Sequence, residues 1–208
     1  RVLFNGGTTT KLTIYRQAAA DSAVRKIGFR QSSSYKIALV GVEASSRFDF
    51  ETSKGVPAEV DLILEPGLSL LSLEWGSAVD LRPTETTTDP DGSTRVHVRA
   101  PFDASTDLGA LRATLFAPLW IGEKRLPTIR MEASNLEWRE SILRVGIQEP
   151  LALTRAVPVD AVQARDTSRA RAENQGVAVF KLFKPDASVN LSVRRPEARP
   201  AFDSATDS

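Results

Sequence analysis

Apolar and polar residues alternate along much of the chain, most clearly over residues 58–75, AEVDLILEPGLSLLSLEW. Val60, Leu62 and Leu64 alternate there with Glu, Asp and Ile. Pro66-Gly67 then interrupts the run before leucines resume it. A period of two with one mostly apolar face is typical of a half-buried β-strand, and Pro-Gly is a strong turn former. The pattern therefore predicts two strands that meet at a tight corner.

Shorter segments of the same kind recur along the chain. Strands are predicted over residues 11–16, 35–42, 46–52, 95–99, 111–120, 127–132, 136–148, 177–183 and 188–194, and a short strand with a turn over 157–162. Asp89-Pro90-Asp91-Gly92 predicts a hairpin turn within residues 81–99, and Lys184-Pro185-Asp186 predicts a second turn. Residues 17–26 fit a short helix or a loop equally well. A helix is also an alternative over 132–144, but Gly146 continues the run and favours a strand.

Roughly ten to twelve short strands, with no alternation of strand and helix, are typical of an antiparallel sandwich or barrel. We therefore predict an all-β fold, a large antiparallel two-sheet β-sandwich with few or no helices. Residues 1–200 are predicted as one domain, in which 1–34 either pack on the sandwich or form a lead-in segment. Residues 201–208 are predicted to be a flexible tail, because Pro, Ala, Asp and Ser dominate this end of the chain.

Composition narrows the function classes. The chain has 208 residues, of which 41% are hydrophobic, enough for one substantial core. Its 27 basic and 26 acidic residues form no block of one sign, which disfavours a nucleic-acid partner. The absence of cysteine excludes disulfides and thiolate chemistry. No apolar run approaches the 18 residues of a membrane span, and the start at Arg1 indicates a piece of a longer protein.

Candidate catalytic groups are few. The single histidine, His97, lies between Val96 and Val98, and we interpret it as a surface residue rather than a base or metal ligand. Asp89 and Asp91 lack the further oxygen ligands of a calcium loop. Paired carboxylates remain available for glycoside hydrolysis, on strand faces that we expect to be solvated: Asp49, Glu51, Asp61, Glu65 and Glu74. We predict no catalytic residue, no metal site and no cofactor.

The three tryptophans are the candidate ligand-binding residues. Trp75, Trp120 and Trp138 lie at strand ends or beside charged residues, where an indole buries its ring and keeps its N–H near water. If they share one sheet face, they form a platform on which sugar rings stack. Packing in the core or at its rim is the alternative, because spacing in sequence does not show whether the three come together.

Several segments together resemble parts of very large bacterial cell-envelope proteins of no assigned activity, of the planctomycete type. These segments are VDLILEPGLSLLSLEWGSAVD, RVHVRAP, LRATLFAPLW, LPTIRMEASNLEWRESILRVGIQ, the step Val159-Asp160 and SVNLSVRRPEARP. The resemblance covers residues 35–200. It implies an extracytoplasmic, non-catalytic β-sandwich module within a longer chain.

The sequence therefore predicts a structural or interaction module of a larger bacterial envelope or secreted protein. The predicted partners are neighbouring domains of the same chain, and a polysaccharide or another envelope protein. A carbohydrate-binding module is the first alternative, and a carboxylate-dependent glycoside hydrolase or lyase is the second.

Overall fold

A computed structural model describes residues 26–51, 55–76, 78, 80–101, 109–164 and 177–195. These residues form fourteen β-strands: β1 Ile27–Ala38, β2 Gly41–Phe50, β3 Glu59–Leu64, β4 Ser69–Trp75, β5 Glu85–Thr88, β6 Thr94–Arg99, β7 Ala110–Ala117, β8 Gly122–Arg125, β9 Ile129–Glu132, β10 Leu136–Ile147, β11 Ala152–Val159, β12 Ala161–Ala164, β13 Ala178–Leu182 and β14 Ser188–Arg194. The all-β prediction is confirmed. The predicted strand over 11–16, most of 17–26 and the predicted tail lie outside the described residues.

The described strands form three hydrogen-bonded sheets. A seven-stranded sheet has the order β12-β13-β10-β1-β2-β7-β4, a four-stranded sheet the order β5-β6-β3-β9, and a three-stranded sheet the order β11-β14-β8. Neighbouring strands are antiparallel except for β1 and β10, which are parallel. This parallel pair joins segments that lie more than a hundred residues apart in the sequence.

One hydrophobic core joins the three sheets. It contains Phe48 and Leu115 of the seven-stranded sheet, Leu62 of the four-stranded sheet and Leu191 of the three-stranded sheet. Polar contacts also cross between layers: the Tyr35 hydroxyl on β1 donates to the carbonyl oxygen of Pro127, which precedes β9, at 2.9 Å. Apolar burial supplies most of the stabilisation, at roughly 25 cal/mol for each Å² removed from water.

The predicted corner at Pro66-Gly67 is confirmed, and it has a further consequence. Gly67 has φ = 91°, a value that favours glycine over residues with a side chain. The strands on either side of the corner belong to different sheets, because β3 lies in the four-stranded sheet and β4 at the edge of the seven-stranded one. The alternating stretch therefore passes from one layer of the sandwich to the other.

Two sequence predictions are corrected. A single strand over residues 35–42 is wrong, because β1 ends at Ala38 and β2 begins at Gly41. Between them Leu39 and Val40 are apolar turn residues with their side chains exposed, so the hydrophobic pattern hides the turn. The described strands also form three sheets instead of two. The helix alternative over 132–144 is excluded by β10, which runs from Leu136 to Ile147.

Candidate functional site

Strands β3 and β6 place a charged surface on the outside of the four-stranded sheet. Residues 60, 62 and 64 of β3 are buried, whereas Asp61 between them is partly exposed. His97 on β6 is the register partner of Asp61, and Glu132 on β9 faces Asp61 from the other side. Because side chains alternate between the two faces of a strand, charged groups from three strands form one row. We call this surface the charged face.

Ion pairs connect the charged groups of this face. His97 Nδ1 lies 2.8 Å from Asp61 Oδ1, and Arg95 Nη1 donates to Asp61 Oδ2 at 3.1 Å. Arg95 Nη1 also reaches Glu132 Oε2 at 3.5 Å. On the other side of the imidazole, Nε2 lies 3.6 Å from Glu59 Oε2. His97 is therefore placed between two carboxylates, as a surface residue within an ion-pair network.

The network changes the acid–base behaviour of two of its members. Partial burial raises the pKa of Asp61, but the hydrogen bonds from His97 and Arg95 outweigh it and hold that pKa below its usual value. The hydrogen bond to Asp61 raises the pKa of Arg95. Both effects favour the charged forms. Asp61 is therefore an ionised structural partner of Arg95 and His97 at neutral pH.

The Asp89-Pro90-Asp91-Gly92 segment forms the predicted turn between β5 and β6. Ser93 donates to Asp91 Oδ1 from its backbone N–H at 2.9 Å and from its hydroxyl at 2.7 Å. These hydrogen bonds lower the pKa of Asp91. Across the described part of the chain, no group of three or more His, Asp or Glu residues is arranged to hold a metal ion.

The structure separates the three tryptophans. Trp75 on β4 is completely buried and stacks on Phe50, with ring centroids 5.8 Å apart. Trp138 on β10 lies four strands away in the same sheet, roughly 19 Å at about 4.8 Å per strand. Trp120 follows β7, and Lys124 Nζ lies 5.6 Å from its ring centroid. The three indoles do not form one platform: Trp75 lies in the core, and sugar stacking at Trp120 and Trp138 stays a prediction.

Trp138 lines a cleft of about 290 Å³ at the open side of the sandwich, where β9 faces β1 and β10. We call it the Trp138 cleft. Its lining residues are Phe29, Gln31, Arg130, Met131, Glu132, Ala133, Leu136, Trp138 and Pro185. Most of this surface is apolar, with polar groups at a few points, as is common in ligand sites. Glu132 is the only carboxylate in this lining, so the cleft offers no carboxylate pair of the kind that glycosidases use.

Two residues that line the Trp138 cleft carry a buried donor. Neither Trp138 Nε1 nor Arg130 Nε has a hydrogen-bond acceptor within the described residues, although each atom is shielded from solvent. Most buried polar groups in proteins are paired, so such atoms call for an explanation. The side-chain amide of Gln31, in contrast, is engaged: Nε2 donates to the carbonyl oxygen of Ile129 at 2.9 Å.

Sequence reasoning identified Trp138 but missed its neighbours in the cleft. Met131 comes from a predicted strand, where no local signal distinguishes it from a core residue, and Phe29 lies in the first part of β1, where the sequence predicts no strand. Pro185 belongs to a turn that the sequence does predict. The cleft arises from the pairing of β10 with β1, which periodicity alone does not reveal.

Comparisons with known proteins add little beyond the fold. No family model matches the chain, and no curated protein matches it. Leukotriene A4 hydrolase from Saccharomyces cerevisiae aligns at a TM-score of 0.41 with 11% identity, over 84% of this chain and 30% of that chain. The chain therefore spans less than a third of that hydrolase.

Two further solved structures align with similarly low TM-scores and sequence identities. The seventh ScaB type I cohesin from Pseudobacteroides cellulosolvens aligns at a TM-score of 0.36 with 13% identity, over 61% of this chain and 96% of that chain. An M1 zinc metallopeptidase from Deinococcus radiodurans aligns at 0.38 with 9% identity, over 81% of this chain and 43% of that chain. At these TM-scores and identities, none of the three indicates a function for this chain. None of the described residues forms a helix of the length and apolar character that crossing a membrane requires.

Proposed function

We propose that this chain is a non-catalytic interaction module of a larger bacterial envelope or secreted protein, and that it holds part of its partner in the Trp138 cleft. The observation that carries the proposal is Trp138, whose side chain lines an apolar cleft and whose buried indole N–H has no acceptor in the described residues. Leaving a buried donor unpaired costs about 1–3 kcal/mol. A partner that displaces the side chains covering this N–H and offers it an acceptor atom recovers this cost.

The chemistry of the cleft defines the part of the partner that fits it. Phe29, Met131 and Leu136 offer apolar surface, and Trp138 offers both a ring face and a donor. A side chain or ring with one apolar face and one acceptor atom complements these groups. Another envelope protein, or a neighbouring domain of the same chain, presents such a group on its surface.

The envelope and larger-chain parts of the proposal rest on the sequence resemblance over residues 35–200. They are tested by cell fractionation. An antibody raised against this chain is expected to detect, in the envelope or the culture medium, a protein much larger than 208 residues. Detection only in the cytoplasmic fraction would contradict this part of the proposal.

A carbohydrate-binding module is the second candidate, and the position of Trp138 favours it. Sugar rings stack on indole faces, and their hydroxyl groups accept and donate hydrogen bonds. Beside Trp138 the cleft has the side chains of Arg130 and Glu132, which are suitable partners for hydroxyl groups. The volume of about 290 Å³ limits the site to a small part of a polysaccharide.

One binding experiment separates the two candidates. The full chain is exposed separately to extracted envelope proteins and to a panel of soluble polysaccharides, and bound material is quantified. Under either candidate, Trp138→Ala is expected to weaken binding at least tenfold, and Leu39→Ala, the control at an exposed apolar position outside the cleft, less than twofold. A bound protein supports the interaction module, whereas a bound polysaccharide supports the second candidate. Equal effects of the two substitutions would overturn the role of the cleft.

A further inference from the structure

A second concave surface lies at the β4 edge of the seven-stranded sheet. It has a volume of about 450 Å³ and runs between β4 and the neighbouring four-stranded sheet. Leu64, Leu73 and Val96 contribute to its lining and also belong to the hydrophobic core. Leu71 lies at its exposed side, with 62% of its surface accessible. We call this surface the Leu71 groove.

The lining of the Leu71 groove is uncharged. All twelve residues that form it are Leu, Val, Pro, Ser or Thr. A charged group that enters such a groove loses part of its hydration without gaining an opposite charge, which is unfavourable. The groove therefore selects against charged partners. In this respect it differs from the Trp138 cleft, which includes Arg130 and Glu132.

The backbone of β4 forms one side of the groove. β4 is the last strand in the order of its sheet, and in the described chain its only strand partner is β7. Sheet edges usually carry charged residues or proline that block further pairing. β8, for example, has the sequence GEKR. Residues 69–72 of β4 are Ser-Leu-Leu-Ser and carry no charged residue or proline, although the register with β7 shifts at Leu71, where the strand has a β-bulge.

The chain itself already adds backbone to part of this edge. Trp75 and Ala78 exchange N–H···O hydrogen bonds of 2.9 and 3.1 Å. The N–H of Leu81 donates to the carbonyl oxygen of Leu73 at 3.0 Å. The edge of β4 is therefore able to accept an additional extended segment. This addition ends at Leu73, and residues 69–72 extend the edge along the groove across the bulge at Leu71.

We propose that residues 69–72 and the Leu71 groove bind an extended peptide segment of a partner protein, which adds a strand beside β4. The segment presents uncharged apolar side chains to the groove at every second position and polar side chains to solvent. Four residues of strand span roughly 13 Å, which sets the minimum length of the segment. An extended backbone is the ligand that satisfies successive N–H and C=O groups of a sheet edge.

The first test selects ligands directly. Random ten-residue peptides displayed on phage are selected against the full chain. Enriched peptides are expected to alternate apolar and uncharged polar residues. Failure to enrich any peptide, or enrichment of sequences without this alternation, would overturn the proposal.

The second test locates the bound peptide. Affinity of an enriched peptide, measured by fluorescence anisotropy, is expected to fall at least tenfold in Leu71→Asp and to stay within twofold in Val40→Asp. Val40 is the matched control, because it is apolar, 86% exposed and not among the residues that line the groove. Both positions are exposed, so both variants are expected to fold, which circular dichroism checks. Similar losses in the two variants would overturn the proposal.

Hydrogen exchange then distinguishes strand addition from nonspecific adhesion. The bound peptide is expected to slow amide exchange within residues 69–73 and to leave β12, the other edge of the same sheet, unchanged. Equal protection of both edges would contradict strand addition.

Sedimentation provides the remaining check. A dimer that Leu71→Asp dissociates would identify a second copy of this chain as the occupant and overturn the peptide proposal.

Discussion

The tripeptide Leu-Glu-Trp occurs twice in this chain, at residues 73–75 and 136–138, and the two copies have different environments. Trp75 is completely buried and stacks on Phe50. Trp138 is partly buried and borders a cleft, and its N–H has no acceptor in the described residues. Local sequence is therefore not what distinguishes a core tryptophan from a tryptophan at a binding surface.

The backbone pairing beside the two indoles differs in the same way. After β4 the chain turns back, so that Ala78 pairs with Trp75 and Leu81 pairs with Leu73. At the other copy, β13 pairs with β10 only between Ser141 and Val145. Trp138 lies before that segment, where the described partner of β10 is β1 alone. Its ring is therefore left at the open side of the sandwich.

Replacing each of the two tryptophans by alanine tests this difference, and it is expected to give the largest change in the free energy of unfolding. Trp75→Ala is expected to lower the free energy of unfolding by about 3–5 kcal/mol, because it leaves a cavity in a packed core. Trp138→Ala is expected to cost less than half as much, since part of the ring already faces the cleft. Urea unfolding monitored by circular dichroism measures both changes. Equal losses would contradict the proposed difference between the two sites.

Tyr35 is also a buried aromatic residue with a polar atom, but its hydroxyl has a hydrogen-bond partner, whereas the indole N–H of Trp138 has none in the described residues. Its hydroxyl is buried and donates to the carbonyl oxygen of Pro127 at 2.9 Å, and burial raises the pKa of this hydroxyl. Tyr35→Phe leaves that carbonyl without its donor, so the free energy of unfolding is expected to fall by about 1–3 kcal/mol. Urea unfolding at pH 7 measures the loss. An unchanged free energy of unfolding would show that this hydrogen bond makes no net contribution to stability.

The alternation of apolar and polar residues predicted much of the fold. It located β3 and β4, the hairpin of β5 and β6, and β10 in preference to a helix. It missed β8, whose four residues are all exposed and therefore show no alternation. A period of two also reveals nothing about which strands pair. The parallel pairing of β1 with β10, and with it the Trp138 cleft, could not be predicted for this reason.

Asp61, on the charged face, is a polar group that is paired but partly exposed, unlike the buried polar atoms of Tyr35 and Trp138. Its pKa is lowered in the folded protein, so its interactions stabilise the fold above the unfolded-state pKa of about 3.9 and are lost as the pH falls through the folded-state value. Asp61→Asn is expected to cost up to about 1 kcal/mol at pH 7, the scale of surface ion pairs. The difference in the free energy of unfolding between Asp61→Asn and the natural chain should become smaller toward pH 2. Urea unfolding of both proteins across this range measures it, and a difference independent of pH would contradict the assignment.

Trp138→Phe is expected to have the smallest effect on stability, and it bears most directly on the binding proposal. The substitution keeps an aromatic ring and removes an N–H that has no acceptor in the described residues, so no hydrogen bond is lost. The free energy of unfolding should change by less than about 1 kcal/mol, in contrast to the larger loss expected for Tyr35→Phe. Partner binding should nevertheless weaken several-fold, because the bound acceptor loses its donor. A stability loss as large as that of Tyr35→Phe, measured by the same urea unfolding, would show that the indole N–H has a partner within the fold and is not available to a ligand.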